Sequence, residues 1–298
     1  MAYARHQSFY FREKWLSKGL NAVQQENHFF FDELAFEKVG LGKNMVEALR
    51  FWLIAFNTIE EVNIEGQKLH RLTQLGELIL NQDKLSQTND TLSILQYELI
   101  RNEHDQSTVF DWFFNHYKET VASKPDLLNS FIFWVSQREV KEISEKSLKK
   151  DIDCIVQFYT KSEDENDPED VLFSPFSRLG LVKSEPSGEG HEIIKKISPD
   201  IHDIGIIALH YILLHYCVTN DVELISVNEI VSNDQMWGKA FNLSRNKIIE
   251  ALNILSNHER YPIQYVRTNN LDYIRVMRIE PMDFLRAEYA RRVVNYGI

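Results

Sequence analysis

The sequence is short of cysteine: Cys154 and Cys217 are the only two in 298 residues, and they stand far apart. That excludes a disulfide framework and a cysteine-rich zinc module, and it suits a reducing compartment. No uncharged apolar run reaches the length of a membrane span. The opening MAYARHQSFYFREKW lacks the apolar core of a signal peptide, so a cytoplasmic protein is expected. No repeat of solenoid period occurs. Positive charge is also scarce. Thirty-three Lys and Arg face 44 Asp and Glu, a net of −11, which argues against a generally basic, histone-like binder.

What is present is an ordinary globular balance, 44% hydrophobic and 26% charged, in a chain long enough for one large or two ordinary domains. The charge is uneven. From Lys239 to Ile298 there are ten Lys and Arg against six Asp and Glu, a locally basic end on an acidic body. The sharpest shift in composition is Glu163-Asp-Glu-Asn-Asp-Pro-Glu-Asp170, followed by Lys183-Ser-Glu-Pro-Ser-Gly-Glu-Gly190. Together they predict a division into 1–162, an acidic linker region 163–192, and 193–298.

Apolar residues at Val46, Leu49, Trp52, Leu53, Phe56 and Ile59 make one stripe, which predicts a helix over Lys43–Glu60. Further helices are predicted over Asp126–Gln137, over Ser147–Tyr159 with Ser147 as cap, and over Ile204–Tyr216, which is apolar nearly all round. After a helix from Ser244 to about Leu255, Tyr261–Arg267 and Asp272–Arg278 read as two strands about an Asn269-Asn270 turn. Helices followed by a two-stranded ribbon is the order of a winged helix-turn-helix. A similar order begins at Gly40-Leu41-Gly42, continues through Val62–Leu72 about Gly66, and closes at Thr73. The expected fold is mainly α with small β wings (α+β): two winged-helix-like modules on a helical body.

Phosphate-loop chemistry fails on spacing. Gly42-Lys43 and Gly238-Lys239 have Glu37 and Asn233 where the loop needs glycine, and Asn44 and Ala240 where it needs Ser or Thr. Pro125-Asp126 and Glu139-Val140-Lys141 imitate a metal-dependent nuclease, but the first opens a helix and the second ends it. No histidine set has zinc spacing. His104 and Asp105, in a polar cluster between apolar helices, are weak catalytic candidates. No motif for a bound cofactor occurs.

Several patterns resemble one family. They are Arg12-x-x-Trp15-Leu16-x-Lys18-Gly19, Gly40-Leu-Gly42-Lys43-Asn44-Met45-Val46 with Arg50-x-Trp52, Leu72-Thr73-x-Leu75-Gly76, and Trp112-x-Phe114-Asn115. Ser147-Leu148-x-Lys150-Asp151-x-Asp153 and Leu179-Gly180-Leu181 extend the likeness. The family is a bacterial domain-of-unknown-function family, number four thousand and seven, of DNA phosphorothioation operons. The resemblance implies a DNA-binding and DNA-nicking component of a phosphorothioate modification and phage-defence system. Its implied partners are double-stranded DNA and the operon's cysteine desulfurase, sulfur-transferring adenylating enzyme and ATPase, with Mg²⁺ or Mn²⁺ as the ion of a nickase. A non-catalytic adaptor docking sulfur-transfer enzymes and a winged-helix transcriptional regulator are the alternatives. Oligomeric state stays open. The residues expected to meet DNA are Arg12, Lys18, Lys43, Asn44 and Arg50 in the first module, and Arg245, Lys247, Arg267 and Arg275 in the second.

Overall fold

The computed structural model describes residues 1–101, 105–162, 173–187, 190–268 and 271–296. Helix α1 (Trp15–Gln25) buries Trp15, Leu16, Leu20 and Val23, one face at steps of three to four. A single 3₁₀ turn and α2 (Ala35–Val39) follow, and α2 stops at Gly40 in the left-handed region, φ 62°. Helix α3 (Lys43–Ala55) ends earlier than its apolar stripe suggests. Asn57 turns the chain at φ 53°, so Ile59 and Glu60 enter strand β1 (Ile59–Ile64). Strand β2 (Gln67–Leu72) pairs antiparallel with β1, with Ile59 opposite Leu72. Glu65 and Gly66 both take positive φ, the geometry that closes a two-residue hairpin. Thr73 then caps α4 (Gln74–Gln82), accepting the Gly76 N–H at 3.0 Å.

Helix α5 (Asn89–Arg101) runs through the interior, and α6 (Thr108–Asp111) passes into a π turn over Trp112–His116. Strand β3 (Val121–Ser123) leads into α7 (Lys124–Ser136), with Ser123 as cap and Pro125 in the first turn. Helix α8 (Glu145–Thr160) starts earlier than the sequence expectation, because Ser144, not Ser147, is its cap. Within the expected linker 163–192, residues 163–172 and 188–189 lie outside the described residues. The rest is built into the fold: Phe176, Leu179 and Leu181 are fully buried, and strands β4 (Val182–Pro186) and β5 (Glu192–Lys196) form a sheet ordered β3-β5-β4.

The C-terminal part follows a related order with one more helix. After α9 (Ile201–Ile204), the buried helix α10 (Ile206–Asn220) leads to β6 (Leu224–Ser226), α11 (Val227–Ser232), α12 (Trp237–Ala240) and α13 (Arg245–Ser256). Strands β7 (Gln264–Thr268) and β8 (Leu271–Arg275) pair antiparallel and complete a sheet ordered β6-β8-β7; the expected turn at Asn269-Asn270 lies outside the described residues. Helix α14 (Pro281–Tyr296) closes the chain. Elements are therefore mainly helical with three small antiparallel sheets among the described residues, in line with the expected class. One of those sheets, β3-β5-β4, was not expected.

Among the described residues, one large apolar core runs through the N-terminal and C-terminal parts, with a small satellite of Phe29, Ala35 and Val46 beside it. Trp52 sits at its centre, stacked on Phe56 and Phe158 at 5.6 and 5.0 Å, with its indole N–H on the Phe9 carbonyl. One buried carboxylate ties three helices. Asp90 of α5 accepts the Ala208 N–H in the first turn of α10 at 2.8 Å and pairs with Arg292 of α14. Gly205 makes room for it: a Cβ there would lie 2.2 Å from Asp90 Oδ1, and its φ is 96°.

Three histidines stay neutral in this interior. Burial holds His70 down to about 4, His210 to about 3 and His215 to about 4, against 6.5, with Arg50 adding to the effect at His70 and Arg101 at His215. The unfolded chain binds these protons first, so stability is full above pH 6.5 and falls as pH drops from 6.5 towards 4. Urea midpoints measured from pH 7.5 to 4.5 should show that decline; a flat profile would contradict it.

Candidate nucleic-acid interface

Lys43 and Asn44 are exposed at the start of α3. Gly42 in front of them supplies no side-chain cap, which leaves first-turn N–H groups of α3 without a side-chain partner at that end. The Lys43 ammonium lies 5.0 Å from the Phe36 ring centre, which fixes its direction without neutralising it.

Arg50 has a different job. Its Nε donates to His70 Nε2 at 3.0 Å, its guanidinium pairs with Glu61 at 2.5 Å, and its plane lies over Phe31 at 4.9 Å. His70 is the neutral acceptor that this bond requires. Arg50 therefore bolts α3 to the β1–β2 hairpin. Arg50→Ala is expected to cost about 2 kcal/mol, the worth of a charge-assisted hydrogen bond; a urea midpoint equal to the parent's would refute that role. Lys18 likewise serves the fold, donating to the Val39 carbonyl at 2.8 Å where α2 ends. Arg12 is half-buried among the rings of Phe9, Tyr10 and Trp15.

In the C-terminal part, Arg245 is exposed at the first turn of α13, bonded to Asn228 at 2.6 Å and facing Asp272 at 3.5 Å. Lys247 is turned inwards, onto the carbonyls of Ser198 and Pro199 at 2.7 and 2.5 Å. Arg275 is exposed on β8, opposite Gln264. Arg267 lies on β7, its side chain outside the described residues. Of the nine expected DNA-facing residues, the structure leaves Lys43, Asn44, Arg245 and Arg275 on the surface. It places Arg12, Lys18, Arg50 and Lys247 in partly buried, fold-stabilising positions.

A third cationic helix face was not expected from the sequence. Lys146 and Lys149 are exposed on the first two turns of α8, Lys149 pairing with Asp153 at 3.1 Å. The signal was in the letters Lys146, Lys149 and Lys150. Without the β4–β5 hairpin that follows, α8 has the pattern of an ordinary body helix.

Of the two weak catalytic candidates, His104 lies outside the described residues. Asp105 is exposed in the connection after α5, at φ 52°. The polar cluster nearest in sequence is buried. Glu98 accepts from Arg101 at 2.8 Å, Asn57 at 3.2 Å and Tyr211 at 3.3 Å, while His215 Nδ1 meets the Tyr97 hydroxyl at 3.0 Å. Arg101, Tyr211 and His215 wall a cavity of about 610 Å³. An arginine beside a neutral imidazole can hold phosphate charge and accept a proton. Among the described residues, no group of three or more His, Cys, Asp or Glu is placed to hold a metal ion. Glu98, with both oxygens already bonded, does not fit a resident magnesium ion. No helix among the described residues is long and apolar enough to cross a membrane.

Residues 3–289 match the family described as Protein of unknown function (DUF4007), and the chain belongs to that family. In fold it is similar to a solved structure described as "Magnesium ion-bound SspB crystal structure", at 23% identity and TM-score 0.82, over 99% of this chain and 94% of that one. A second, described as "SspB crystal structure", matches at 23% identity and TM-score 0.81 with the same coverage. No curated protein matches the chain in sequence.

Proposed function

We propose that this protein is a DNA-binding and DNA-nicking component of a DNA phosphorothioate modification and phage-defence system. The observation that carries the reading is a recurrent one. Hairpin-bearing units of the fold each expose cations or an amide at the start of a helix: Lys43 and Asn44 on α3, Lys146 and Lys149 on α8, Arg245 and Asn246 on α13. The order β6, α11, α12, α13, β7, β8 resembles that of a winged helix, and β3, α7, α8, β4, β5 resembles it with one helix fewer; α1 to β2 follow a similar order without the first strand. In that architecture the helix before the hairpin enters the groove and the hairpin tip reaches the backbone. On an acidic chain, such local cations give directed rather than general attraction to phosphate.

Nicking needs a held phosphate, a proton acceptor and charge stabilisation. Arg101 and His215 beside the buried Glu98 supply these chemistries in one cavity, next in sequence to His104 and Asp105. Opening one strand exposes a linkage to sulfur insertion by a cysteine desulfurase, an adenylating sulfurtransferase and an ATPase, the partner set that the family resemblance implies.

Purified protein incubated with supercoiled plasmid, with Mg²⁺, with Mn²⁺ and with EDTA, tests both halves. Conversion to open circle that is lost in Arg101→Ala supports the nickase. A salt-sensitive gel shift without conversion reduces the reading to a DNA-binding subunit. Neither conversion nor shift leaves the adaptor alternative, and tight binding to one operator only leaves the regulator.

A further inference from the structure

Between the β3-β5-β4 sheet and the loop that enters α13 lies a cavity of about 400 Å³. Its wall carries three lysines, Lys118, Lys196 and Lys239, together with Thr120, Ser198 and Asn242. Lys196 is the last residue of β5. Its ammonium donates to the carbonyls of Phe113 and Tyr117 at 2.5 and 2.6 Å, and packs on both rings. Lys239 of α12 donates to the Asn115 carbonyl at 2.9 Å and to Asp234 at 2.5 Å.

The three carbonyls belong to the π turn and its C-cap residue, where the backbone runs out of N–H partners and its dipole favours a cation. One lysine satisfies that need. Two lysines, with a third on the rim, exceed it. Each ammonium has three donors and has spent two on the protein. The pair is also mutually unfavourable. Burial first, and then the Lys239 charge, bring Lys196 down to about 7. Asp234 bonds Lys239 alone, and its side chain is half-exposed, so it answers for one charge. Thr120, Ser198 and Asn242 bring hydroxyl and amide groups to the wall, beside the apolar surface of Phe114 and Tyr117. Crowded cations with unspent donors and neutral polar neighbours are the wall of an anion site.

We propose that this cavity binds a phosphate group, seated between Lys196 and Lys239 with Lys118 closing the rim. A phosphate supplies the missing negative charge and acceptor oxygens for several donors at once. Its source is either free phosphate or a backbone phosphate of a nucleic acid, and the chemistry of the site is the same for both. The inference stands on the cavity alone and holds whether or not the protein nicks DNA.

The test is the melting temperature of the full chain in inorganic phosphate, against sodium chloride of equal ionic strength. Phosphate at a hundredfold excess over its Kd should raise Tm by about 5 °C, with saturation. Lys118→Ala, an exposed position that leaves the fold intact, should move the half-saturation point to higher phosphate on the order of fivefold. Lys239→Met should abolish saturation. Equal shifts in phosphate and chloride, or a Lys118→Ala protein that titrates like the parent, overturn the site. A second arm adds a short duplex to phosphate-bound protein. Competition identifies a backbone phosphate as the occupant, and simultaneous binding identifies free phosphate. Absence of any duplex binding, with the phosphate shift intact, counts against the proposed DNA role and leaves the pocket standing.

Discussion

A protein carrying Lys43→Ala and Asn44→Ala is expected to bind a short duplex on the order of tenfold more weakly near physiological salt. Its plot of log affinity against log salt should flatten by about one unit, because one phosphate-neutralising charge has gone. Stability should hardly change. Both side chains are exposed, and the fold gives up no more than the Lys43 ammonium over the Phe36 ring, worth about 0.5 kcal/mol at a surface site. The separation matters because Arg50, one helix face further on, behaves in the opposite way. Its loss weakens the fold, and weaker DNA binding in that variant would be indirect. Equal affinity and equal salt slope in the double variant would remove α3 from the interface. The affinity loss should also be similar across unrelated sequences if Lys43 meets a phosphate, and sequence-dependent if Asn44 reads a base edge.

Gly238→Ala is expected to damage the fold out of proportion to one methyl group. A Cβ at that position would stand 2.1 Å from the Val231 carbonyl oxygen and 2.7 Å from its carbon. Neither atom belongs to a side chain that can turn away, so α12 must move off α11. Overpacking of this kind costs about 3 kcal/mol. The displaced helix carries Lys239 and abuts the loop into α13, so duplex binding and the phosphate response should fall together. Gly42→Ala is the matched control. It precedes Lys43 directly, has φ −69°, and its Cβ meets nothing nearer than Met45 Sδ at 3.9 Å. Its stability should stay within about 1 kcal/mol of the parent. Denaturant midpoints of the two variants decide the matter: similar values would mean that Gly238 is not held against Val231.

Much of this architecture was legible in the residues. The Gly66 hairpin, the capped start of α4, the buried helix α10 and the terminal ribbon follow from apolar periodicity and turn chemistry acting over short distances. What failed was longer in range. Ser184, Glu185 and Pro186 look like a linker because their side chains are polar. Yet the backbone of Val182–Pro186 pairs with β5, whose partner on the other side is β3, far earlier in the chain. Backbone pairing across such a distance leaves no local periodicity. Missing that strand meant missing that α8 precedes a hairpin, and so missing Lys146 and Lys149. The candidate cations divide into exposed and inward-turned groups for a related reason. Composition marks Lys18 and Lys247 as positive but does not say that their ammonium groups are spent on Val39, Ser198 and Pro199. The carbonyl cluster around Lys196 and Lys239 exists only once the π turn, β5 and α12 have met.

Asp90 gives the molecule a mechanical property as well as a bond. Its carboxylate is held from α10 on one side and from Arg292 on the other, and the adjacent Thr91 hydroxyl meets Tyr289 at 2.7 Å. The final helix is thus latched to the middle of the chain rather than laid upon it. Pulling it away leaves the buried Asp90 carboxylate without its cation and the Thr91 hydroxyl without Tyr289 in the same event. Peeling from the C-terminus and melting of the centre are therefore one cooperative step, and a protease that trims α14 back past Tyr289 should release the whole molecule to digestion rather than a shortened stable product.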